Sequence, residues 1–146
     1  MEDLSEEYIL IVDFGSQVTQ LIARRFRELN IYCEIKPYQK INFNLLKKHK
    51  PKGIILSGGP SSVTLKNFPK IPFRVFELKI PIFAICYGQQ LMAKLLDGNV
   101  TNTKTSAEFG KSFIFKKNNS PIINGLFKKK KGTGLDVAWR HSFKTT

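Results

Sequence analysis

Short apolar runs alternate with amphipathic segments along most of the chain. Apolar runs bounded by turn residues are typical of strands that are buried on both faces of a parallel sheet. Four such runs span residues 8–13, 31–35, 53–57 and 80–86. Because strands that alternate with helices form such sheets, the pattern predicts an α/β fold with a mostly parallel sheet and helices on both faces.

Helical spacing of apolar residues predicts the elements between these strands. In QVTQLIARRFREL, arginines lie opposite the apolar face, and Ser16 precedes the segment as a helix N-cap. The packing face predicted for this helix consists of Val18, Leu21, Ile22, Phe26 and Leu29. INFNLLKKHK predicts a short second helix, and residues 87–96 predict a third. The third helix is predicted to pack through Leu91, Met92, Leu95 and Leu96. Beyond these residues, NVT and KSFIFKK are predicted strands.

The composition indicates one globular domain that stays in the cytoplasm. The chain has 146 residues, 42% of them hydrophobic, and its mean hydropathy is −0.19. No apolar run approaches the ~18 residues that span a bilayer. The acidic start MEDLSEEY also lacks the pattern of a secretion signal. We therefore expect no membrane partner.

The net charge of +13 raises the question of nucleic-acid binding. Most of the 24 basic residues are lysines scattered over the whole chain, and no basic helix carries interleaved aromatic residues. Lys, Asn, Ile and Phe are all abundant and all have A/T-rich codons, so the base composition of the gene explains the charge. We expect no specific nucleic-acid binding.

Three loops are predicted to lie at one edge of the sheet. Parallel α/β folds bind ligands outside the carboxyl ends of their strands. The loops that follow predicted strands there are residues 14–16 (FGS), 57–60 (SGGP) and 86–88 (CYG). The loop 57–60 contains two consecutive glycines, which let the backbone approach a ligand closely.

Cys86 has the sequence context of a nucleophile elbow. In this motif a nucleophile lies on a tight turn between a strand and a helix, with small residues two places before and after it. Here those residues are Ala84 and Gly88. The N–H of Tyr87 and the helix N-terminus would face developing negative charge. Residues 58–59 offer a second backbone N–H donor.

The alternative for Cys86 is a small core residue, since most free cysteines are buried. Cys33, which has no glycine near it, is predicted to be a core residue on the same criterion. Two cysteines do not make a disulfide framework, and no Cys/His spacing is typical of zinc. We expect no metal site.

The chain resembles, nearly without gaps over residues 8–127, the class I glutamine amidotransferase domain of glutamine-hydrolysing GMP synthases. The stretches that carry the resemblance are ILIVDFGSQVTQLIARRFRELNIYCEI, GIILSGGPSSV and PIFAICYGQQLMAKLLDGNV, followed by EFGK. The motif DFGSQ-x-TQLIARR is highly specific within the amidotransferases. Four residues depart from the family pattern without removing the chemistry, namely Ala84, Val18 and the pair Ser106-Ala107.

The resemblance implies glutamine as the substrate. Cys86 would attack the side-chain amide of glutamine and form a thioester, and Gly59 and Tyr87 would form the oxyanion hole. The implied substrate-binding residues are Gln90, Gly58 and Gly88. Ammonia would pass to a downstream ATP-pyrophosphatase domain that aminates adenylated XMP to GMP. ATP and Mg²⁺ belong to that domain, so this chain itself needs no cofactor, and the full-length family forms homodimers.

The family's catalytic base has no matching position in this chain. A nucleophilic thiol of this class needs a base and an acid that orients the base, which the family takes from a His-Pro-Glu segment. The two histidines here are His49, in the lysine-rich KKHK, and His141, in AWRHSFKTT. No glutamate follows Glu108. We therefore expect little or no glutamine turnover by this chain alone.

The last residues have the character of an out-of-frame tail. The lysine run KKKK implies a run of adenines, in which a base is easily gained or lost. From Gly132 onward, permitted codons read one base later give VQDWMSHGDTVLK, which contains the family segment WMSHGD. We expect residues 1–131 to be a C-terminally truncated amidotransferase domain and residues 132–146 to be an out-of-frame, disordered tail. The alternative is a genuinely divergent short homologue.

Two other functions stay open on the residues alone. The chain could be a non-catalytic glutamine-binding or regulatory remnant that keeps a reactive thiol. It could also be a short amidotransferase subunit whose partner supplies the missing base.

Overall fold

A four-stranded parallel sheet forms the centre of the fold. Its strands are β1 (Ile9–Asp13), β2 (Cys33–Pro37), β3 (Gly53–Leu56) and β4 (Ile82–Ala84), in the spatial order β2-β1-β3-β4. The chain moves from β1 to one side for β2 and then to the other side for β3. The point where the direction reverses, between β1 and β3, is where ligands bind in open α/β sheets.

The computed structural model describes residues 7–102, 108–114, 121, 135–141 and 143–145. The chain divides into two compact units, Met1–Thr101 with Thr145–Thr146, and Asn102–Lys144. In the part of the chain that is described, no helix is long and apolar enough to cross a membrane.

Helices cover both faces of the sheet. They are α1 (Val18–Glu28), α2 (Phe43–Lys48) and α3 (Tyr87–Leu95), with 3₁₀ turns at Tyr38–Lys40 and Phe73–Leu78. Ile55 of β3 packs against the core cluster beneath α1, whereas a Cβ on Gly88 of α3 would meet Leu56. Because successive strand residues point to opposite faces, α1 and α3 lie on opposite sides of the sheet. The predicted α/β fold class is confirmed.

Helix α1 buries a different face from the one predicted. Thr19 and Ala23 are buried, Ile22 and Phe26 are half-buried, and the remaining predicted residues are exposed: Val18, Leu21 and Leu29. The hydroxyl of Thr19 bonds to the carboxylate of Asp13, which turns this polar side of the helix inward. The helix also begins one residue later than predicted. Its N-cap residue is Gln17, while Ser16 Oγ accepts a hydrogen bond from the Val18 N–H at 3.1 Å.

The start of β2 and the end of α3 also differ from the predicted boundaries. Strand β2 begins at Cys33, and residues 31–32 are exposed because the Ile31 N–H bonds back to the Phe26 carbonyl at 2.9 Å in the turn after α1. In α3, Leu91 is fully buried, but Leu96 lies past the helix end and is exposed. Cys33 is buried, and its thiol lies 3.6 Å from the Ala23 carbonyl oxygen, so its predicted place in the core is confirmed.

The remaining strands are β5 (Val100–Asn102), β6 (Glu108–Ile114), β7 (Leu135–His141) and β8 (Phe143–Thr145). Within the second unit, β6 and β7 pair antiparallel, with Glu108 opposite His141 and Ile114 opposite Leu135. The prediction of a disordered tail over residues 132–146 is therefore wrong for the residues in β7 and β8. In LDVAWRH, large apolar residues alternate with smaller or polar ones, and this period of two suits a strand.

Candidate active site

The three loops predicted to meet at one edge of the sheet do so. A Cβ built on Gly58 would lie 3.5 Å from Ser16 Oγ and 3.7 Å from the Cβ of Cys86. One built on Gly59 would lie only 2.6 Å from the Phe14 carbonyl oxygen. The loops after β1, β3 and β4 therefore touch one another around Cys86, and the approach requires glycine at residue 59.

Cys86 lies on a strained turn between β4 and α3. Its backbone has φ 50° and ψ −115°, and the residue is exposed. A residue with a side chain is disfavoured by about 1–3 kcal/mol in such a conformation, which persists only where the surroundings impose it. The turn is anchored to β3, since the Ile85 N–H donates to the Leu56 carbonyl at 2.9 Å. The geometry matches the elbow and rules out the alternative of a core cysteine.

Gly88 is the position that brings α3 against the sheet. Its N–H lies 3.1 Å from the Ser57 carbonyl oxygen and 2.9 Å from that of Ile85. A Cβ on Gly88 would lie 2.3 Å from the Leu56 carbonyl oxygen, a separation that no real contact allows. The glycine two places after the nucleophile is therefore required by close packing of helix on strand.

The resemblance assigns two backbone N–H groups to the oxyanion hole, those of Gly59 and Tyr87. Gly59 lies in the loop after β3, where Gly58 reaches the Cβ of Cys86. Tyr87 follows Cys86 directly and is the first residue of α3, where an N–H has no partner inside the helix. The Tyr87 N–H is thus available to an acceptor outside the helix.

The Tyr87 side chain fixes the start of α3. It is buried, its ring lies 5.2 Å from that of Phe14, and its hydroxyl donates to the Pro69 carbonyl. Burial away from water, with a smaller contribution from the neighbouring Tyr38, raises the pKa of Tyr87 to about 12. The phenol therefore stays protonated across the physiological pH range.

The raised pKa of Tyr87 predicts a loss of stability at alkaline pH. Unfolding returns the phenol to an ordinary pKa near 10, so the stability due to this shift is complete below pH 10. It is lost as the pH rises through 12 because the unfolded state releases the proton more easily. We expect the free energy of unfolding, measured by urea denaturation, to fall less steeply over this range in Tyr87→Phe. Parallel curves for the two proteins would contradict the prediction.

Gln90 lies one turn into α3, and its backbone N–H donates to the Cys86 carbonyl at 3.1 Å. It is buried although its side chain is polar. The structure thus places Gln90 on the helix that begins at the nucleophile. Its contact with substrate, like those of Gly58 and Gly88, stays a prediction.

The two histidines have different positions. His49 is exposed, and its carbonyl accepts the Tyr8 hydroxyl at 2.8 Å, immediately before β1 begins. Since β1 runs from this edge to the loop beside Cys86, the strand length of about 17 Å separates the two ends. His49 is thereby excluded as the base. His141 lies in β7 of the second unit, in register with Glu108.

The chain matches a protein-family model over most of its length. The model described as glutamine amidotransferase class-I matches residues 10–146. The chain belongs to the class I glutamine amidotransferase family.

Relatives of this amidotransferase have a longer chain. It is 48% identical over 128 residues to a protein of Dinoroseobacter shibae and 57% identical over 106 residues to one of Cereibacter sphaeroides. A third relative, from Caldanaerobacter subterraneus, is 51% identical over 123 residues. All three are named GMP synthase [glutamine-hydrolyzing]. The matches cover 87%, 73% and 84% of this chain but only 25%, 20% and 24% of the relatives.

Solved structures show the same fold at lower identity. A glutamine amidotransferase of Thermotoga maritima superposes with a TM-score of 0.63 at 19% identity, over 96% of this chain and 62% of that one. A glutamine amido transferase of Methylobacillus flagellatus superposes with a TM-score of 0.68 at 17% identity, over 97% and 57%. At such low sequence identity, both similarities show a shared fold and nothing more.

The candidate site contains polar residues that the sequence pattern did not single out. Thr19 Oγ1 lies 3.0 Å from Asp13 Oδ1 and 3.0 Å from Ser57 Oγ, and Ser57 Oγ donates to the Gly58 carbonyl at 3.2 Å. Asp13 Oδ1 also accepts from the Gly15 N–H at 2.8 Å. The only sequence signal was Thr19 itself, a polar residue between apolar helix positions.

A cleft of the first unit lies away from this site. It has a volume of about 630 Å³ and is lined by Tyr8, Tyr32, His49 and several lysines at the amino-terminal edge of the sheet. Ion pairs of 2.8 Å (Glu7–Lys52) and 2.9 Å (Glu34–Lys36) cross its lining. In the described part of the chain, no three His, Cys, Asp or Glu residues are grouped to hold a metal ion.

Proposed function

We propose that this chain binds glutamine at the carboxyl edge of the sheet and cleaves its side-chain amide through Cys86. The observation that carries the proposal is the strained turn at Cys86, where the backbone is held at φ 50° beside a glycine loop from a second strand. Family membership supports glutamine as the substrate. The site residues of the proposal are Cys86, Gly58, Gly59, Tyr87, Gly88 and Gln90.

The proposed reaction passes through a thioester. The Cys86 sulfur attacks the amide carbon of glutamine and the carbonyl oxygen becomes negatively charged, which the N–H groups of Gly59 and Tyr87 stabilise. The carbon–nitrogen bond then breaks, and the amide nitrogen leaves as ammonia after accepting the thiol proton. Water hydrolyses the thioester to glutamate and regenerates the thiol.

The proton transfer from thiol to leaving nitrogen needs a base, and His49 is the only histidine among the described residues of the first unit. His49 lies at the opposite edge of the sheet. In characterised hydrolases, loss of one catalytic-triad member lowers kcat by about 10⁴- to 10⁶-fold. We therefore propose that the chain alone binds glutamine but turns it over slowly.

For the longer protein that the relatives represent, we propose that ammonia released at Cys86 is used to convert XMP to GMP. The support is the identity of about half or more of the aligned residues to proteins named GMP synthase. The amination would take place in an ATP-pyrophosphatase domain, which would bind ATP and Mg²⁺ and form the homodimer. No residue of this chain is assigned to hold either group.

The proposed function is tested by a substrate whose leaving group departs without a proton. The p-nitrophenyl γ-ester of glutamate offers the same γ-glutamyl group as glutamine. We expect the purified chain to release a burst of one nitrophenolate per molecule, because Cys86 is acylated, followed by slow turnover. Glutamine itself should release ammonia at no more than about 10⁻⁴ of the rate of a complete amidotransferase.

The matched control is the β-ester of aspartate, which is one methylene shorter and carries the same leaving group. A site shaped for glutamine should acylate it about 10- to 200-fold more slowly. Equal bursts with both esters, or none with either, would contradict glutamine recognition. Rapid saturable hydrolysis of glutamine would instead contradict the absence of a base.

We also propose that residues 132–146 arise from a shifted reading frame, with the domain sequence ending at residue 131. The support is the lysine run and the WMSHGD segment in the frame one base later. The family model matches through residue 146, and the compact units divide at residue 101, so this boundary stays a prediction. Sequencing the gene across the lysine codons tests it. We expect the shifted frame to continue into a His-Pro-Glu segment, and an early stop codon there would contradict the proposal.

A further inference from the structure

The buried polar side chains of the first unit are concentrated at the proposed site. Among the described residues, the polar or charged side chains that are buried are those of Thr19, Ser57 and Gln90. Thr19 is 1% exposed and Ser57 is fully buried. A hydroxyl in a core costs free energy unless it is hydrogen-bonded, so these two positions invite a specific explanation.

Their hydrogen bonds diverge from the Thr19 hydroxyl, toward Asp13 on one side and Ser57 on the other. Ser57 Oγ donates its single proton to the Gly58 carbonyl at 3.2 Å. The Thr19 hydroxyl is therefore the donor in its own two contacts, and it shares its proton between Ser57 Oγ and Asp13 Oδ1. The chain of bonds begins at the carboxylate that ends β1, passes through α1, and ends on the glycine loop after β3.

The last bond in this chain controls a peptide group of the proposed oxyanion hole. The Gly58 carbonyl and the Gly59 N–H belong to one planar trans peptide, so they point in opposite directions. Holding the carbonyl inward, toward the buried Ser57 hydroxyl, turns the Gly59 N–H outward. Two consecutive glycines have little preference of their own, so without this bond the peptide would rotate easily.

We propose that Thr19 is a positioning residue for the oxyanion hole: through Ser57 it fixes the Gly58–Gly59 peptide and so aims the Gly59 N–H at the reacting carbonyl. This inference rests on the proposed function of Cys86. Thr19 is buried beneath the loop, and its effect passes through Ser57, so it is not a catalytic residue. The Asp13 carboxylate accepts from the same hydroxyl and so holds the Thr19 side chain in place.

The experiment measures the rate of Cys86 acylation by the p-nitrophenyl γ-ester of glutamate, in an alkaline buffer where a cysteine thiol ionises without a base. Thr19→Val removes the hydroxyl at nearly constant volume, and Thr19→Ser keeps it. We expect Thr19→Val to lower the burst rate at saturating ester by about 10- to 100-fold. This is less than the fall of about 10²- to 10³-fold in kcat that follows the removal of an oxyanion-hole donor itself. Thr19→Ser should acylate at the wild-type rate.

Two further readouts separate positioning from a general structural defect. Alkylation of Cys86 by iodoacetamide needs no oxyanion donor, so its rate should be the same in Thr19→Val and wild type. The ester concentration that gives half-maximal burst rate should also be unchanged, because binding is not affected. If Thr19→Val does not fold, Ser57→Ala is the second variant. It removes the hydroxyl that donates to the Gly58 carbonyl and should slow acylation by the ester without slowing alkylation by iodoacetamide.

The outcomes distinguish this inference from the function on which it rests. A missing burst in the wild-type protein would overturn the proposed function itself. A normal wild-type burst with an equally fast burst in Thr19→Val would overturn only the positioning role. An equal fall of acylation and iodoacetamide alkylation would do the same, because it would show that the whole turn at Cys86 had moved.

Discussion

Replacing Gly88 with alanine is expected to destabilise the first unit by about 3 kcal/mol or more, at the upper end of overpacking costs. The added Cβ would lie 2.3 Å from the Leu56 carbonyl oxygen and 2.7 Å from the Leu56 Cβ, and neither β3 nor the start of α3 can move without breaking the turn at Cys86. Alanine favours helix over glycine by about 1 kcal/mol, which is too little to offset the clash. Urea denaturation, or the yield of soluble protein if folding fails, measures the effect.

The matched control is Gly53→Ala in β3. There the nearest atom to an added Cβ is the flexible Ile9 Cδ1, at 3.3 Å, and the nearest backbone atom is 3.7 Å away. We expect a change within about 1 kcal/mol, since a side-chain end can give way by a few tenths of an ångström. Equal effects of the two substitutions would show that the helix does not pack on the strand as described.

Replacing Cys86 is expected to abolish all thiol chemistry at the site and, with glycine, to stabilise the fold. Both Cys86→Ala and Cys86→Gly remove the nucleophile, so neither should show an acylation burst. Only glycine adopts φ 50°, ψ −115° without strain, and we expect Cys86→Gly to exceed Cys86→Ala in unfolding free energy by about 1 kcal/mol. Urea denaturation of the two variants measures the difference.

The same pair of substitutions at Gln89 is the control for backbone strain. Gln89 is exposed and is the third residue of α3. In a helix the order reverses, because alanine is favoured over glycine by up to about 1 kcal/mol. If alanine were also the more stable residue at position 86, the turn would not be strained, and the case for a nucleophile held there would fail.

The sequence predicted the edge of the sheet at which the site lies, because that inference requires only the approximate positions of the strands. Once β1, β3 and β4 are read as parallel strands, the residues after them must share an edge. The identity of Cys86 as the turn residue follows from its small neighbours on either side. Positions 84 and 88 hold alanine and glycine, which few other strand-to-helix turns require.

Helix and strand boundaries were harder to predict because distant contacts decide them. The apolar periodicity of α1 places Val18 and Leu21 inward, but the hydrogen bond from Thr19 to Asp13 turns the helix so that they are exposed. Thr19 also contacts Ser57, 38 positions away, and a contact so distant along the chain cannot be predicted from a local sequence pattern. The tail after residue 131 is polar as a whole, which favours disorder, whereas the period of two in LDVAWRH suits the strand observed there.

The most direct test of the central claim measures protection of Cys86 by glutamine against a glutamine-like diazoketone. We expect labelling at Cys86 alone, found by mass spectrometry of peptides, with a rate that saturates in the reagent. Glutamine should slow this labelling, while asparagine at the same concentration should not, and Cys33 should stay unlabelled because it is buried. Labelling that increases linearly with reagent and ignores glutamine would contradict the account, since Cys86 would then be an exposed thiol without a substrate site.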